Sequence, residues 1–446
     1  YLGIDWVTTT EVAATNLTTA GTCAGALTVV DLDGDTSRDV VLTSDRDVIA
    51  ILDIRGVGLA NLDADGGLRI VVASMGAATF CNARAQLQVA HLNPADDSLL
   101  DLVLVINHEM AVFFGLPPTP SDPVVYTSYR PLPDIGLPSA VADGFALTDY
   151  NSDGYLDVML SVDTHLAAVT NLGYPAAMRG QIDVHNNRYG NFRSMVVGDW
   201  DHDSLVDLIV YNSDQTRIRL YTGGDAFISY PVFSLGFHAT WMGSVDIDMD
   251  GREDLLMATQ SSAGYQMRWI PNSGTLPFFD PAQNVIIDDG TGVFKLANDI
   301  GVAPIDADMW PDLVVVGQQS ENLVFFRGNP DSSTRFDPPY VLASWSSSCT
   351  MERFMQVVDL TDDGLFDFVF ACSTSGTVEA YISGGPGGSG EPWTVSYVGA
   401  IASTGAFAVT GLELVDINSD GLVDVVLVSD AGASAISYAI NTGSAS

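Results

Sequence analysis

The chain has 446 residues, 47% of them hydrophobic, and a formal net charge of −39. Of its 56 acidic residues eight are Glu and 48 are Asp, and Lys295 is its one lysine. A basic track for phosphates is therefore absent, which argues against nucleic-acid partners, and an anionic membrane surface would repel the chain unless a cation bridged the two.

Length alone would suggest roughly three domains of ~150 residues, but an internal repeat overrides that prior. The amino end, "YLGIDWVTTTEVAA", reads as a spare outer strand. From there one pattern recurs: a short apolar run, D-x-[DNT]-x-D-x-x-x-D, then another apolar run. The first copy, DLDGDTSRD, places Asp31, Asp33, Asp35, Ser37 and Asp39 at positions 1, 3, 5, 7 and 9. The second, DYNSDGYLD, places Asp149, Asn151, Asp153, Tyr155 and Asp157 there, and the third, DWDHDSLVD, has Asp199, Asp201, Asp203, Leu205 and Asp207. Then come Asp246, Asp248, Asp250, Arg252 and Asp254 in DIDMDGRED, and Asp359, Thr361, Asp363, Leu365 and Asp367 in DLTDDGLFD. The last intact copy, DINSDGLVD, has Asp416, Asn418, Asp420, Leu422 and Asp424. Three copies are eroded: Asn61 to Arg69 ends in Arg, Asn93 to Asp101 has Ala95 at its third position, and Pro304 to Asp312 begins with Pro.

The flanking runs, such as "ALTVV" and "LIVY", are short and rich in β-branched residues, so they predict strands. An aromatic or apolar strand running into a Gly/Asn turn follows each loop, as in "MRWIPNSG" and "ISYAINTG". Each unit thus reads as a four-stranded antiparallel sheet with the acidic loop between its first two strands. With the copy at Arg69 set aside, the loops close at 39, 101, 157, 207, 254, 312, 367 and 424, a mean period of about 55 residues. That period predicts an all-β fold, a single β-propeller domain over residues 1–446 with eight blades, seven being the alternative. The last unit stops after its third strand, so the amino-terminal strand is expected to complete it and close the ring, removing two open edges. Residues 40 to 100 are irregular, and the blade there is expected to be elaborated or split. The proline-rich stretch 115–139 reads as an extended loop, and "SGGPGGSGEP" at 383–392 as a mobile one.

Oxygen side chains at positions 1, 3, 5 and 9 of a nine-residue loop can wrap one hard cation, with the carbonyl of position 7 completing the set. That explains why position 7 varies freely among Ser37, Tyr155, Leu205, Arg252, Leu365 and Leu422. A small residue near position 6 lets the chain reverse. Calcium is favoured over magnesium, which demands stricter octahedral geometry, and about six ions are expected at modest affinity. Purely structural ions are the leading expectation for their role.

Units such as "FALTDYNSDGYLDVML" and "SMVVGDWDHDSLVDLIVY" resemble the FG-GAP/VCBS repeats of integrin α-subunit-type propellers. The resemblance spans essentially the whole chain and is specific at six loops. It implies a calcium-binding, extracellular or lumenal propeller, of the kind found in adhesion receptors, lectins and accessory modules of larger surface proteins, and an extracellular or cell-surface location is expected.

Cys23, Cys81, Cys349 and Cys372 form no CxxC pair. Cys349–Cys372 and Cys23–Cys81 disulfides are expected, with buried free thiols as the alternative. Asn16-Leu17-Thr18 is a glycosylation sequon. No apolar run is long enough to span a bilayer, so no direct membrane insertion is expected in this segment. The leading functional expectation is a non-enzymatic scaffold that binds other proteins, in adhesion or a larger extracellular assembly. A calcium-dependent glycan-binding module is the alternative, with Trp200, Trp241, Trp269, Trp310, Trp345 and Trp393 as candidate stacking residues and Trp269 better suited to core. A polysaccharide-active enzyme is third: the six histidines show no HExxH, and no GxSxG elbow or phosphate-binding glycine loop is present.

Overall fold

The structure is a computed structural model. It describes residues 4–13, 24–44, 47–52, 69–74, 85–92, 99–106, 109–117, 119, 125–126, 130–131, 142–162, 165–173, 178–186, 192–212, 217–223, 228–234, 237–261, 264–276, 278–288, 297–306, 308–317, 322–345, 355–372, 375–386, 393–403, 409–429 and 435–444. Among them strands are the rule, broken by one 3-10 turn at Pro281–Gln283. They form eight four-stranded antiparallel sheets, spanning 24–74, 85–131, 142–186, 192–234, 238–288, 297–344, 356–403 and 409–444.

The last sheet takes its outer strand from the amino end. Ile4–Ala13 pairs antiparallel with Ala435–Ser444, in register from Ile4 opposite Ser444 to Ala13 opposite Ala435. This is the completion expected from the two chain ends.

Second strands are buried on both faces. Asp312–Gly317, Asp367–Cys372 and Asp424–Ser429 are buried at every residue, which is why they read as unbroken β-branched and aromatic runs. Outer strands alternate with water: Tyr340–Ser344 has no buried residue, and Trp393–Ser403 is mostly exposed along its middle. The chain divides into two compact units. One comprises 1–91, 99–131 and 347–446, the other 92–98 and 132–346. In the first, Leu42 and Ile49 of the first sheet pack with Val426 and Tyr438 of the last, and Val369 and Ala380 pack with Val425 and Leu427. In the second, Trp200 and Ile209 share a core with Leu255 and Ile270, as do Leu256 and Trp269 with Leu313 and Phe326. Apolar burial between successive sheets, at roughly 25 cal/mol per Å², is the main force holding each unit together.

Several expectations are corrected. The irregular stretch 40–100 is not a split blade. Arg69 opens the strand Arg69–Ser74, the fourth strand of the first sheet, so the Asn61 copy lies in the connection between third and fourth strands. The rest of that copy, 61–68, lies outside the described residues. The proline-rich stretch is more than a loop. Gly115–Leu116 pairs with Val125–Tyr126, and Arg130–Pro131 forms the outer strand of the second sheet. The start of the glycine-rich segment, 383–386, extends the strand Thr377–Pro386. Trp200 and Trp393 are buried, so they belong to the core rather than to a sugar-facing surface, and Trp269 is buried as its strand position predicts. Cys372 is buried and is not a free thiol. Cys23, Cys81, Cys349 and the sequon at Asn16 lie outside the described residues.

Candidate metal centres

Each intact acidic loop is the hairpin connection between the first two strands of its sheet. Position 9 is the first residue of the second strand and pairs with the residue just before position 1, as in Thr148 opposite Asp157 and Val415 opposite Asp424. The same pairing in the second sheet puts Ala90 opposite Asp101. Position 1 there is therefore His91, and the loop is two residues longer than the Asn93 reading assumed. Burial agrees: Leu92 is as deeply buried as Leu32, Trp200, Ile247, Leu360 and Ile417, the apolar residues at position 2.

The six loops share one backbone. Positions 4 and 6 both have positive φ: Gly34 and Thr36, Ser152 and Gly154, His202 and Ser204, Met249 and Gly251, Asp362 and Gly364, Ser419 and Gly421. Two left-handed residues turn successive N–H groups inward. The carboxylate of position 1 accepts the N–H of position 6 in all six, from Thr36, Gly154, Ser204, Gly251, Gly364 and Gly421, at 2.8–3.0 Å. The position 5 carboxylate accepts the N–H of position 7 in all six, at Ser37, Tyr155, Leu205, Arg252, Leu365 and Leu422. Position 3 supplies a further acceptor in Asp33, Asn151, Asp201 and Asn418. Thr361 departs from this and donates its hydroxyl to Asp359.

Position 9 behaves differently. Asp39, Asp157, Asp207, Asp254, Asp367 and Asp424 are buried, whereas the position 5 aspartates are exposed or nearly so. One oxygen of the ninth aspartate accepts the N–H of position 2, as with Leu32, Trp200, Ile247, Leu360 and Ile417. The other accepts an N–H from the end of the third strand, at Asn171, Gly223, Asn272, Ser383 and Asn441. The ninth aspartate thus staples the acidic loop to the following hairpin. Burial raises its pKa above the usual carboxylate range, opposed by those N–H donors and reinforced by neighbouring aspartates. It reaches about 7 for Asp157, Asp254 and Asp367 and about 6 for Asp207 and Asp424.

Asparagines missed in the sequence reading extend the staple. Asn272 Nδ2 donates to the carbonyl of Trp200, at position 2 of the preceding sheet's loop, and Asn441 Nδ2 donates likewise to Leu360. Asn171 Nδ2 reaches Leu92. Each asparagine Oδ1 accepts the N–H two residues on, from Gly173, Gly274 or Gly443. The signal was present as N-x-G in the turns already noted.

Among the described residues, three groups bring three carboxylates within 4.8 Å of one another: Asp31, Asp33 and Asp39; Asp199, Asp201 and Asp203; Asp246, Asp248 and Asp250. Each could hold a metal ion. All-carboxylate oxygen donors suit a hard cation such as calcium. The Asp246 loop adds a sharper indication: Asp248 Oδ1 is buried and makes no hydrogen bond. Burial raises the Asp248 pKa, and the Asp250 and Asp246 charges raise it further. Uncompensated, a like-charge pair at 4 Å costs roughly 4 kcal/mol at an effective dielectric of 20, which a divalent ion would reverse.

The eroded loop at Pro304 has a different centre. Asp312 keeps the staple from the Gly328 N–H, but its other oxygen accepts the N–H of Asp306, at position 3, while Ile305 at position 2 donates to the Ala303 carbonyl. Arg327 Nε donates to Asp306 Oδ2 at 2.5 Å, and its Nη2 lies 3.9 Å from Asp308 Oδ2. Loop 61–69 apart from Arg69, and residues 93–98, lie outside the described residues.

The FG-GAP-like repeat family model matches residues 359–427, a stretch that includes the loops at Asp359 and Asp416. The chain folds as a β-propeller in which residues 359–427 match an FG-GAP-like repeat. Among solved structures the propeller is similar to that of Dos1, at 9% identity and TM-score 0.53, covering 99% of this chain and 96% of that one. It is also similar to the exotype rhamnogalacturonan lyase YesX, at 12% identity and TM-score 0.52, covering 98% of this chain and 75% of that one. An Agrocybe aegerita lectin that recognises non-reducing terminal N-acetylglucosamine aligns at 14% identity and TM-score 0.48, over 86% of this propeller and 90% of its own chain. No curated protein matches the sequence. At these identities the likeness extends to the fold.

Proposed function

We propose that this propeller is a calcium-stiffened, non-enzymatic interaction scaffold working outside the cell or at its surface, with residues 1–446 as one domain. The observation that carries this is the common geometry of the six loops: one backbone, built on two left-handed residues, that in three of them brings three carboxylates within 4.8 Å of one another. In this reading positions 1, 3, 5 and 9 and the position 7 carbonyl hold about six calcium ions. Each ion removes carboxylate repulsion and fixes a hairpin that the ninth aspartate joins to the next turn. Rigid loops then present a preorganised surface to a partner, lowering the ordering cost of binding. Disulfides Cys349–Cys372 and Cys23–Cys81 and a glycan on Asn16 belong to the same extracellular reading, and intact-mass measurement before and after reduction and deglycosylation tests them.

Glycan binding is the second reading. Tyr397 is 58% exposed, its ring centroid lies 5.1 Å from that of Tyr381, and its hydroxyl donates to Glu379. An exposed ring beside a carboxylate suits a sugar face and its hydroxyls. A glycan array and a proximity-labelling experiment, each run in calcium and in chelator, separate the two. Calcium-dependent protein partners without sugar binding support the scaffold. Sugar binding abolished by Tyr397→Ala supports the lectin and overturns the scaffold.

A further inference from the structure

The loop at 304–312 has lost the carboxylate of position 1 to Pro304, yet Asp306 and Asp308 still sit at positions 3 and 5 and Asp312 at position 9. Asp306 is nearly buried, its side chain 6% exposed. A buried carboxylate without a compensating charge is costly. Its compensation comes from Arg327, which bonds Asp306 and lies against Asp308, reaching both remaining carboxylates of the loop's open end.

The origin of that arginine is informative. Gly328 is the residue whose N–H staples Asp312. Arg327 therefore stands immediately before the staple donor. In the corresponding loops that place belongs to Thr170, Thr222, Pro271, Ile382 and Ile440, none of them charged. Loss of a carboxylate and gain of a cation thus coincide in one repeat. An arginine nearby is not sufficient for this. Arg252 bonds Asp250 from inside its own loop, but its Nε is turned to the Asn272 carbonyl, and Asp248 Oδ1 stays without a partner. Arg327 by contrast spans two loop positions from the adjoining hairpin.

We propose that the Arg327 guanidinium takes the place of the metal ion in the loop 304–312, so that this repeat holds its hairpin together without calcium. One positive charge, hydrogen-bonded to Asp306 and ion-paired with Asp308, does there what a divalent ion does among the fuller carboxylate sets of the intact loops. The contrast rests on the calcium reading of the other six loops; the arginine's own role does not. The repeat is then a metal-independent element in a propeller whose other acidic hairpins loosen when calcium is withdrawn.

Hydrogen–deuterium exchange of the full chain, followed by mass spectrometry of its peptides in calcium and in chelator, tests this. Peptides covering 304–328 should exchange at one rate in both conditions, while peptides covering 359–383 and 416–441 speed up in chelator. Arg327→Gln should speed exchange of 304–328 by about tenfold in both conditions, the scale expected for losing a charge-assisted hydrogen bond to a buried group. Arg327→Lys, which keeps the cation and is the fallback if the glutamine variant does not fold, should show a smaller increase. Deprotection of 304–328 by chelator in the unmodified chain would overturn the proposal, as would unchanged exchange in Arg327→Gln. If no loop responds to chelator but Arg327→Gln loosens its own, the calcium reading falls and the arginine assignment stands.

Discussion

Asp424 accepts the Ile417 N–H with one oxygen and the Asn441 N–H with the other, and it is fully buried. Asp420, four residues earlier, is exposed and accepts the Leu422 N–H within the loop. The motif writes both as aspartate, but their energetic roles differ. Asp424→Ala should cost about 3–5 kcal/mol, because it removes two charge-assisted bonds and leaves buried donors unmet. That cost should persist in chelator, whereas Asp420→Ala should lower stability mainly when calcium is present. Urea denaturation of both variants in both conditions checks this, and equal losses for the pair in chelator would refute it. The ninth aspartates also set a pH dependence. Their folded pKa values, about 6 to 7, lie above the value for an unfolded aspartate. Between the two values the folded chain holds protons that the unfolded chain has released. Their contribution to stability is thus fully present below about pH 4 and is lost as pH rises through 6 to 7. The urea midpoint of the calcium-free chain should fall from pH 5 to pH 8, and added calcium should flatten the trend by displacing those protons. A midpoint that rises with pH in chelator would contradict the burial argument.

At the scale of the element, each hairpin is closed twice: locally by inward N–H groups, and remotely by the staple. Glycine at position 6 in four loops meets the left-handed requirement without strain, at Gly154, Gly251, Gly364 and Gly421. A Cβ at Gly421 would meet no atom within 4 Å, so Gly421→Ala tests conformation alone. It should cost about 1–2 kcal/mol. The asparagine clamp joins one sheet's turn to the preceding sheet's loop, as Asn441 does with Leu360. Asn441→Ala should cost about 1–3 kcal/mol by leaving a buried carbonyl unmet. Asn441→Asp, which keeps the acceptor for Gly443 but loses the Nδ2 donor, should be no milder. Thermal melts of the two variants read this directly, and a neutral Asn441→Ala would show the clamp to be redundant.

At the scale of the molecule, each compact unit holds three intact loops: 31–39, 359–367 and 416–424 in one, 149–157, 199–207 and 246–254 in the other. At free calcium ten times the dissociation constant, each occupied site adds about 1.4 kcal/mol. With affinities of ~10⁻⁴–10⁻³ M expected for extracellular modules, millimolar calcium should raise the melting temperature and chelator should lower it. An unchanged melting temperature in chelator would sink calcium as the stabilising ion.

The sequence by itself determined the hairpins. A loop that closes within nine residues, through carboxylates and left-handed turns, writes its requirements into adjacent positions, so the repeat, the strands around it and the completion of the last sheet by the amino-terminal strand could be read from spacing. Tertiary structure decided what crosses between repeats. The Asn272–Trp200 and Asn441–Leu360 bonds span 72 and 81 residues, and no local period reports them. Burial of Trp200 and Trp393, which pattern alone offered as surface residues, followed from packing against neighbouring strands. The start of the second sheet's loop at His91 emerged from strand register, because an insertion shifts the motif without shifting the staple. Pairing of Arg327 with Asp306 depended on a hairpin folding its third strand back over the loop, which places a cation 21 residues downstream against a carboxylate that sequence had marked only as part of a damaged motif.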